Sequence, residues 1–228
     1  MTDVTILRAD DVVALHDRLL AEPGWPGRGD DELDGAAGCK AVADAPLWRA
    51  VRANHWHNAC LWTEEDLARR TAVGAAEIAA NKRAIDRHNQ ARNDAIERVD
   101  EWLLLALGLV DSASVGGDSP RSKAPAGARL HSETAGSMID RLSILALKAR
   151  AMRAQAARAD VDDAHRALCA ARLARLVEQR ADLAGCLDAL VADARAGRAY
   201  FKVYRQFKMY NDPRFNPALV AEARRGAG

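Results

Sequence analysis

No run of eighteen apolar residues occurs in this chain. The longest, Trp102 to Leu107, is far too short to span a bilayer. The opening MTDVTILRADD has no basic stretch followed by an apolar one, so no signal peptide is read and a cytoplasmic location is expected. Charge of one sign is missing as well: 33 basic residues face 32 acidic ones for a net of +1, which argues against a nucleic-acid binder working through bulk charge. Cysteine is scarce and never in a CxxC pair. Cys39, Cys60, Cys169 and Cys186 sit among apolar residues and read as buried free thiols, not as a disulfide framework or zinc knuckle. Strand patterns, glycine-rich phosphate loops, a Ser-His-Asp signature and the kinase motif set are all absent.

Rings are few, with three tyrosines and three phenylalanines, and all six lie in YFKVYRQFKMYNDPRFNP, residues 200 to 217. The same block holds Lys202, Arg205, Lys208 and Arg214 against one acid, Asp212. Read as a helix stopped by Asn211-Asp212-Pro213, it puts Arg198, Lys202 and Arg205 on one side and Tyr200, Tyr204 and Phe207 on another. Arginine forks, lysine point charges and the Tyr210 hydroxyl suit a phosphate or carboxylate. Rings in the core with cations lying over them are the bland alternative.

What precedes this block reads as helices, and an all-α multi-helix bundle with long antiparallel helices is expected. Residues 1–45 hold a short helix, with Val12, Leu15, Leu19 and Leu20 at helical spacing, and a Gly/Pro-rich loop. Residues 46–107 form the first helical half. Residues 108–130, rich in Gly, Ser, Pro and Ala, read as a flexible linker. Residues 131–220 form the second half, with a helix starting at Ser132, and 46–220 make one domain. Cys169, Leu173, Leu176, Leu183, Leu187 and Leu190 keep a seven-residue rhythm interrupted by Arg180, the pattern of a bundle seam.

Polar stripes run along these helices. His55, Asn58, Trp62, Glu65 and Arg69 share one face if the helix is unbroken, although Thr63-Glu64-Glu65-Asp66 also resembles a capping box that would start a new helix. Here His55 is a candidate acid/base whose pKa a neighbouring Glu65 would raise. Farther on, Lys82, Asp86, Asn89, Gln90, Asn93, Glu97 and Asp100 repeat at three- and four-residue steps, and Asp140 with Arg141 follows on the next helix. Glu65, Asp86, Glu133 and Asp140 stand on separate helical stretches as candidate metal ligands. The Glu-x-x-His pairs of di-iron bundles are missing, and magnesium held with a phosphate substrate fits such carboxylates better. Asn58, Arg69, Asn89, Asn93, Arg141, Lys202, Arg205, Lys208, Tyr210, Asn211 and Asp212 are the candidate substrate contacts.

Four stretches resemble the bacterial domain-of-unknown-function family 4254: HWHNACLWTEEDLAR (55 to 69), KRAIDRHNQARNDAIERVD (82 to 100), SETAGSMIDRLSILALK (132 to 148) and FKVYRQFKMYNDPRFNP (201 to 217). His55, Asn58, Leu61-Trp62 and Glu65-Asp66 match the first motif, while Thr63 stands where the family often has histidine. Ala135 replaces the proline of its Ser-Glu-Thr-Pro-Gly. The resemblance implies proteins accompanying glycosyltransferase genes in cell-envelope glycan clusters, and no reaction.

Three functions are therefore weighed. The first is an enzyme of a glycan or nucleotide-sugar pathway, with Lys202, Arg205 and Lys208 on the anion, His55 and Glu65 as acid/base, and Asp86, Glu133 and Asp140 orienting groups or magnesium ligands. The second is a non-catalytic helical protein docking on a glycosyltransferase or on a second copy. A metal-dependent bundle oxidase is the third. Inward-facing polar stripes favour the first; solvent-facing stripes are mere surface.

Overall fold

Two acids, Asp10 and Asp11, open α1 (Ala9–Ala21) at the end where a helix presents free N–H groups. One of these, on Ala9, donates to Asp188 at 2.8 Å and so ties the start of α1 to a distant helix. The computed structural model describes residues 7–27, 46–206 and 212–226, and among them the fold is all-α. Next come α2 (Pro46–Leu67) and α3 (Ala75–Ala106), packed along each other across a seven-residue turn. A connector with a 3-10 turn at Ser112–Ser114 leads to β1 (Arg129–Leu130). Then α4 (Ala135–Ala156) and α5 (Asp163–Arg195) form a second packed pair, followed by β2 (Ala199–Tyr200) and α6 (Pro217–Gly226). No described helix is long and apolar enough to cross a membrane.

The main core joins both pairs. Val12 of α1, Val51 of α2, Val99 and Leu103 of α3, Ile139 and Leu142 of α4 and Leu187 of α5 are each at most 1% exposed. A smaller cluster gathers Leu20, Ala59, Ala146 and Leu147, with Trp25 and Trp62 against it. The interruption in the α5 leucine rhythm has a specific use. Arg180 lies buried on the seam and turns its guanidinium to α1, donating to Asp17 at 2.7 Å and to the Val13 carbonyl at 3.3 Å.

Several expectations change. Of the two readings left open at Thr63 the unbroken helix is the one formed: α2 runs on to Leu67, and the Thr63 hydroxyl donates back to Ala59 O. The N-cap of α4 is Thr134, not Ser132, and its hydroxyl accepts from Ser137 N–H. Ala135 is thus the first helical residue, the one place in a helix where a proline costs nothing. Residues 108–130 are hydrogen-bonded rather than free chain. Val110 bridges Ser122, Asp111 pairs with Arg121, and β1 runs parallel to β2.

The aromatic block is not a helix where it is described. Gly197, at φ +71°, ends α5 in the left-handed conformation, and residues 201–206 continue without helical structure. Burial then alternates with a period of two: Phe201 and Val203 are buried, whereas Tyr204 is 70% exposed. A helical face of Arg198, Lys202 and Arg205 therefore does not exist. Of the thiols, Cys169 is buried, Cys60 half-buried and Cys186 exposed; Cys39 lies outside the described residues.

Candidate functional site

An unbroken α2 carries Asn54, His55 and Asn58 into the bundle, where α4 brings Asp140 and Ser143 to meet them. All five are at most 8% exposed. Spacing explains the match: Asn54 and Asn58 are one turn apart, as are Asp140 and Ser143, so two short polar stripes face each other. Asn54 Nδ2 donates to Asp140 Oδ1 at 2.8 Å and Asn58 Nδ2 to the same oxygen at 2.9 Å. Asn58 Nδ2 also reaches Ser143 Oγ at 3.0 Å, and Ser143 Oγ lies 2.7 Å from His55 Nδ1.

From α1, His16 completes the inner end. Its ring stacks on that of His55 with centroids 4.4 Å apart, and Trp25 stacks beyond at 6.0 Å. Neither ring nitrogen of the fully buried His16 has a hydrogen-bond partner. Burial, then the positive charges of Arg180 and Arg150, push His55 down to about 3, against a hydrogen bond with the His16 backbone that raises it. His16 is lowered well below the usual histidine value by burial first, then by His55 and Arg180. Both imidazoles are therefore neutral at physiological pH.

At the outer end stands Arg92 of α3, its side chain 26% exposed. Arg92 Nε lies 3.9 Å from Asp140 Oδ1, too far for a hydrogen bond, and has no other partner. Among the described residues the contacts to Asp140 fall on Oδ1 and none on Oδ2. The result is a carboxylate with one oxygen fixed and one open, beside a cation held only by long contacts, to Asp140 at 3.9 Å and from Nη2 to Asn93 Oδ1 at 3.4 Å.

Of the candidates read from the sequence, the fold brings together His55, Asn58 and Asp140. It does not bring the others to them. Glu65 faces outward and pairs with Arg69 at 3.0 Å, so it neither touches His55 nor raises its pKa. Asp86 pairs with Lys82 on the surface, and Glu133 pairs with the exposed Arg141. Among the described residues no three His, Cys, Asp or Glu side chains converge to hold a metal ion, so the set Glu65, Asp86, Glu133 and Asp140 does not form one. Asn89 is half-buried on α3, and Asn93 donates to Gln206 at 2.9 Å. Lys202 lies 6.0 Å over the ring of Tyr200, and Asp212 pairs with Arg214. Lys208, Tyr210 and Asn211 lie outside the described residues.

Arg205 has an internal use instead of an anion. Its fork donates to Glu97 at 2.8 Å and Glu101 at 2.6 Å, and its Nε to Gly117 O at 3.2 Å. All three guanidinium nitrogens donate to groups of the chain itself, and the two carboxylates already neutralise its charge, which disfavours a phosphate there. Asn54, Ser143, His16 and Arg92 were not singled out from the sequence. Asn54 and Ser143 had a signal, one turn from Asn58 and Asp140 respectively, and so did His16, one turn from Val12 and Leu20 on the apolar face of α1; Arg92 had none, since only the packing defines the inward side of α3 there.

The family model for a protein of unknown function, DUF4254, matches residues 48–203. No curated protein and no solved structure matches the chain.

Proposed function

Since the chain belongs to the DUF4254 family, whose description names no reaction, we propose its activity from the polar seam itself: an enzyme of a glycan or nucleotide-sugar pathway that takes a small phosphorylated substrate between Arg92 and Asp140. The observation that carries this is a loosely held pair, Arg92 Nε at 3.9 Å from a buried Asp140 with no hydrogen bond between them, the guanidinium's other contact being a long one to Asn93 at 3.4 Å. Arg92 offers its fork to the substrate oxyanion, a geometry guanidinium matches in two parallel hydrogen bonds. Asp140 accepts or returns a substrate hydroxyl proton at Oδ2, while Asn54 and Asn58 hold Oδ1 and fix the carboxylate plane. His55 is too strongly depressed to carry a proton at neutral pH. Its part is to orient Ser143 and, through it, Asn58. With the other acids dispersed, the reading includes no resident metal.

The reading agrees with the inward-facing stripes, because buried amides and charges are costly unless paired or used. It is tested by thermal shift against nucleotide sugars, sugar phosphates and inorganic phosphate. A ligand at 100 times its dissociation constant stabilises a fold by about 2.7 kcal/mol. The expected result is a hit that Arg92→Ala abolishes and Lys202→Ala leaves intact. A hit retained in full by Arg92→Ala, or silence across all three ligand classes, overturns the proposal.

A further inference from the structure

Two positions apart on α2, His55 and His57 are separated by about 200° around the helix, so they face different neighbours. His55 turns to α4, where it meets Ser143; His57 turns to α3, where its Nδ1 lies 3.2 Å from Nδ1 of His88. The register of the antiparallel pair puts them there. Asn81 of α3 donates to Glu64 of α2 at 2.7 Å, and His57 and His88 each stand two turns along from that contact. Trp56, 4% exposed, sets its ring edge-on to both imidazoles, with centroids 4.9 Å and 5.5 Å away. His57 is buried and His88 half-buried.

With only a proton between them, one ring donates Nδ1–H and the other accepts. The same spacing suits a metal ion. Two imidazole nitrogens on one tetrahedral cation, each about 2.0–2.1 Å from it, stand about 3.3–3.4 Å apart. The gap here is 3.2 Å, so a cation replaces the shared proton with hardly any movement of either helix. Both rings then carry their own proton on Nε2 and bind as neutral ligands. Imidazole selects zinc, nickel and copper(II); magnesium and calcium take oxygen. No third His, Cys, Asp or Glu joins the pair among the described residues, so water fills the remaining positions and the ion exchanges readily. We infer that His57 and His88 form a two-nitrogen site for a divalent cation of the zinc class, which clamps α2 to α3.

The inference does not rest on the proposed enzymatic reading, since it uses neither Arg92 nor Asp140 and is measured without phosphate. The test is calorimetric titration of zinc into the metal-free full chain, with magnesium for comparison and circular dichroism confirming the fold of every variant. One saturable zinc per chain is expected, and no magnesium. His88→Ala, at the half-buried position, should raise the zinc dissociation constant by at least about tenfold, the smallest loss that a disturbed ligand set brings. His57→Gln should do the same. Arg92→Ala should bind zinc like wild type, whatever it does to phosphate. In assigned nitrogen-15 spectra of wild type, zinc should shift Nδ1 of His57 and His88, a reading that needs no variant. A wild type without saturable zinc binding overturns the inference, as does full binding by a folded His88→Ala or a shift confined to other histidines. Zinc lost in His165→Ala instead would place the ion at His165 and Cys169, 3.5 Å apart on α5, and would overturn it too.

Discussion

The backbone N–H of Gly136 donates to the buried carboxylate of Asp100 at 2.7 Å, and this contact sets how closely α4 starts against α3. A Cβ at Gly136 would fall 2.5 Å from the Ile96 carbonyl oxygen and 3.0 Å from Asp100 Oδ1. Both neighbours belong to packed parts of α3, so neither gives way cheaply. Helix propensity alone would favour alanine by about 1 kcal/mol. Steric overlap in the packed interior wins instead: Gly136→Ala is expected to destabilise by about 2 kcal/mol net. Urea unfolding with an unchanged slope measures it, and a neutral or stabilised variant contradicts the close approach.

Asp100 also makes stability depend on pH. Burial raises its pKa from 3.8 to about 7, outweighing the hydrogen bonds from Thr134 and Gly136 that favour the charged form. The fold keeps a proton that the unfolded chain gives up near pH 4. This contribution is therefore fully present below that pH and lost as pH rises toward 7, by at most about 4 kcal/mol. Asp100→Asn, which can still accept from Gly136, should be more stable than wild type at pH 8 and nearly equal to it at pH 4. A constant difference across that range would show that Asp100 is ionised throughout.

The buried histidines act in the opposite direction. Their folded pKa values lie below 6.5, so the unfolded chain binds protons that the fold refuses, and stability falls as pH drops below that value. His16→Phe keeps a ring against His55 and removes two unpaired nitrogens. It should hold or gain about 1 kcal/mol at neutral pH and lose less than wild type on acidification. Thermal melts at a series of pH values in the Asp100→Asn background isolate the effect. An unchanged acid slope would mean that His16 does not contribute.

Arg205→Ala leaves Glu101, 4% exposed, and Glu97 facing each other without their cation. A loss of roughly 3 kcal/mol is expected, together with faster amide exchange at Gly116 and Gln206, whose N–H groups donate to the same two carboxylates. Ligand affinity corrected for this loss should not change. A stable variant with weakened phosphate binding would return Arg205 to the role its sequence suggests.

Arg205 also shows how far a sequence can be read. The stripes on α2 and α4 are legible because helical spacing puts His55, Asn58 and Asp140 on definable faces, and the matching face across the bundle is regular too. The C-terminal block misleads because rings and cations at three- and four-residue steps imitate a helix, while Gly197 breaks the chain into an extended run first. Once extended, the same residues alternate inward and outward, and Arg205 meets Glu97 and Glu101 more than a hundred positions away. Arg92 was hidden for a related reason. Nothing local distinguishes it from Arg87 or Arg98, and only the approach of α4 gives it Asp140 as a neighbour. For the connector, composition reported few apolar groups, but β1–β2 pairing and the Asp111–Arg121 bridge draw on backbone and charge instead.

The pairing of β1 with β2 has a consequence for the order of events at the ribosome. Arg129 and Leu130 wait seventy residues for Ala199 and Tyr200, and directly after these comes Phe201, the largest side chain with no exposed surface. Until that stretch has cleared the exit tunnel, both helical pairs can form but the cavity destined for Phe201 stays open to solvent. A nascent chain of this protein thus carries an unfilled socket until the stretch after α5 emerges, and Phe201 closes it.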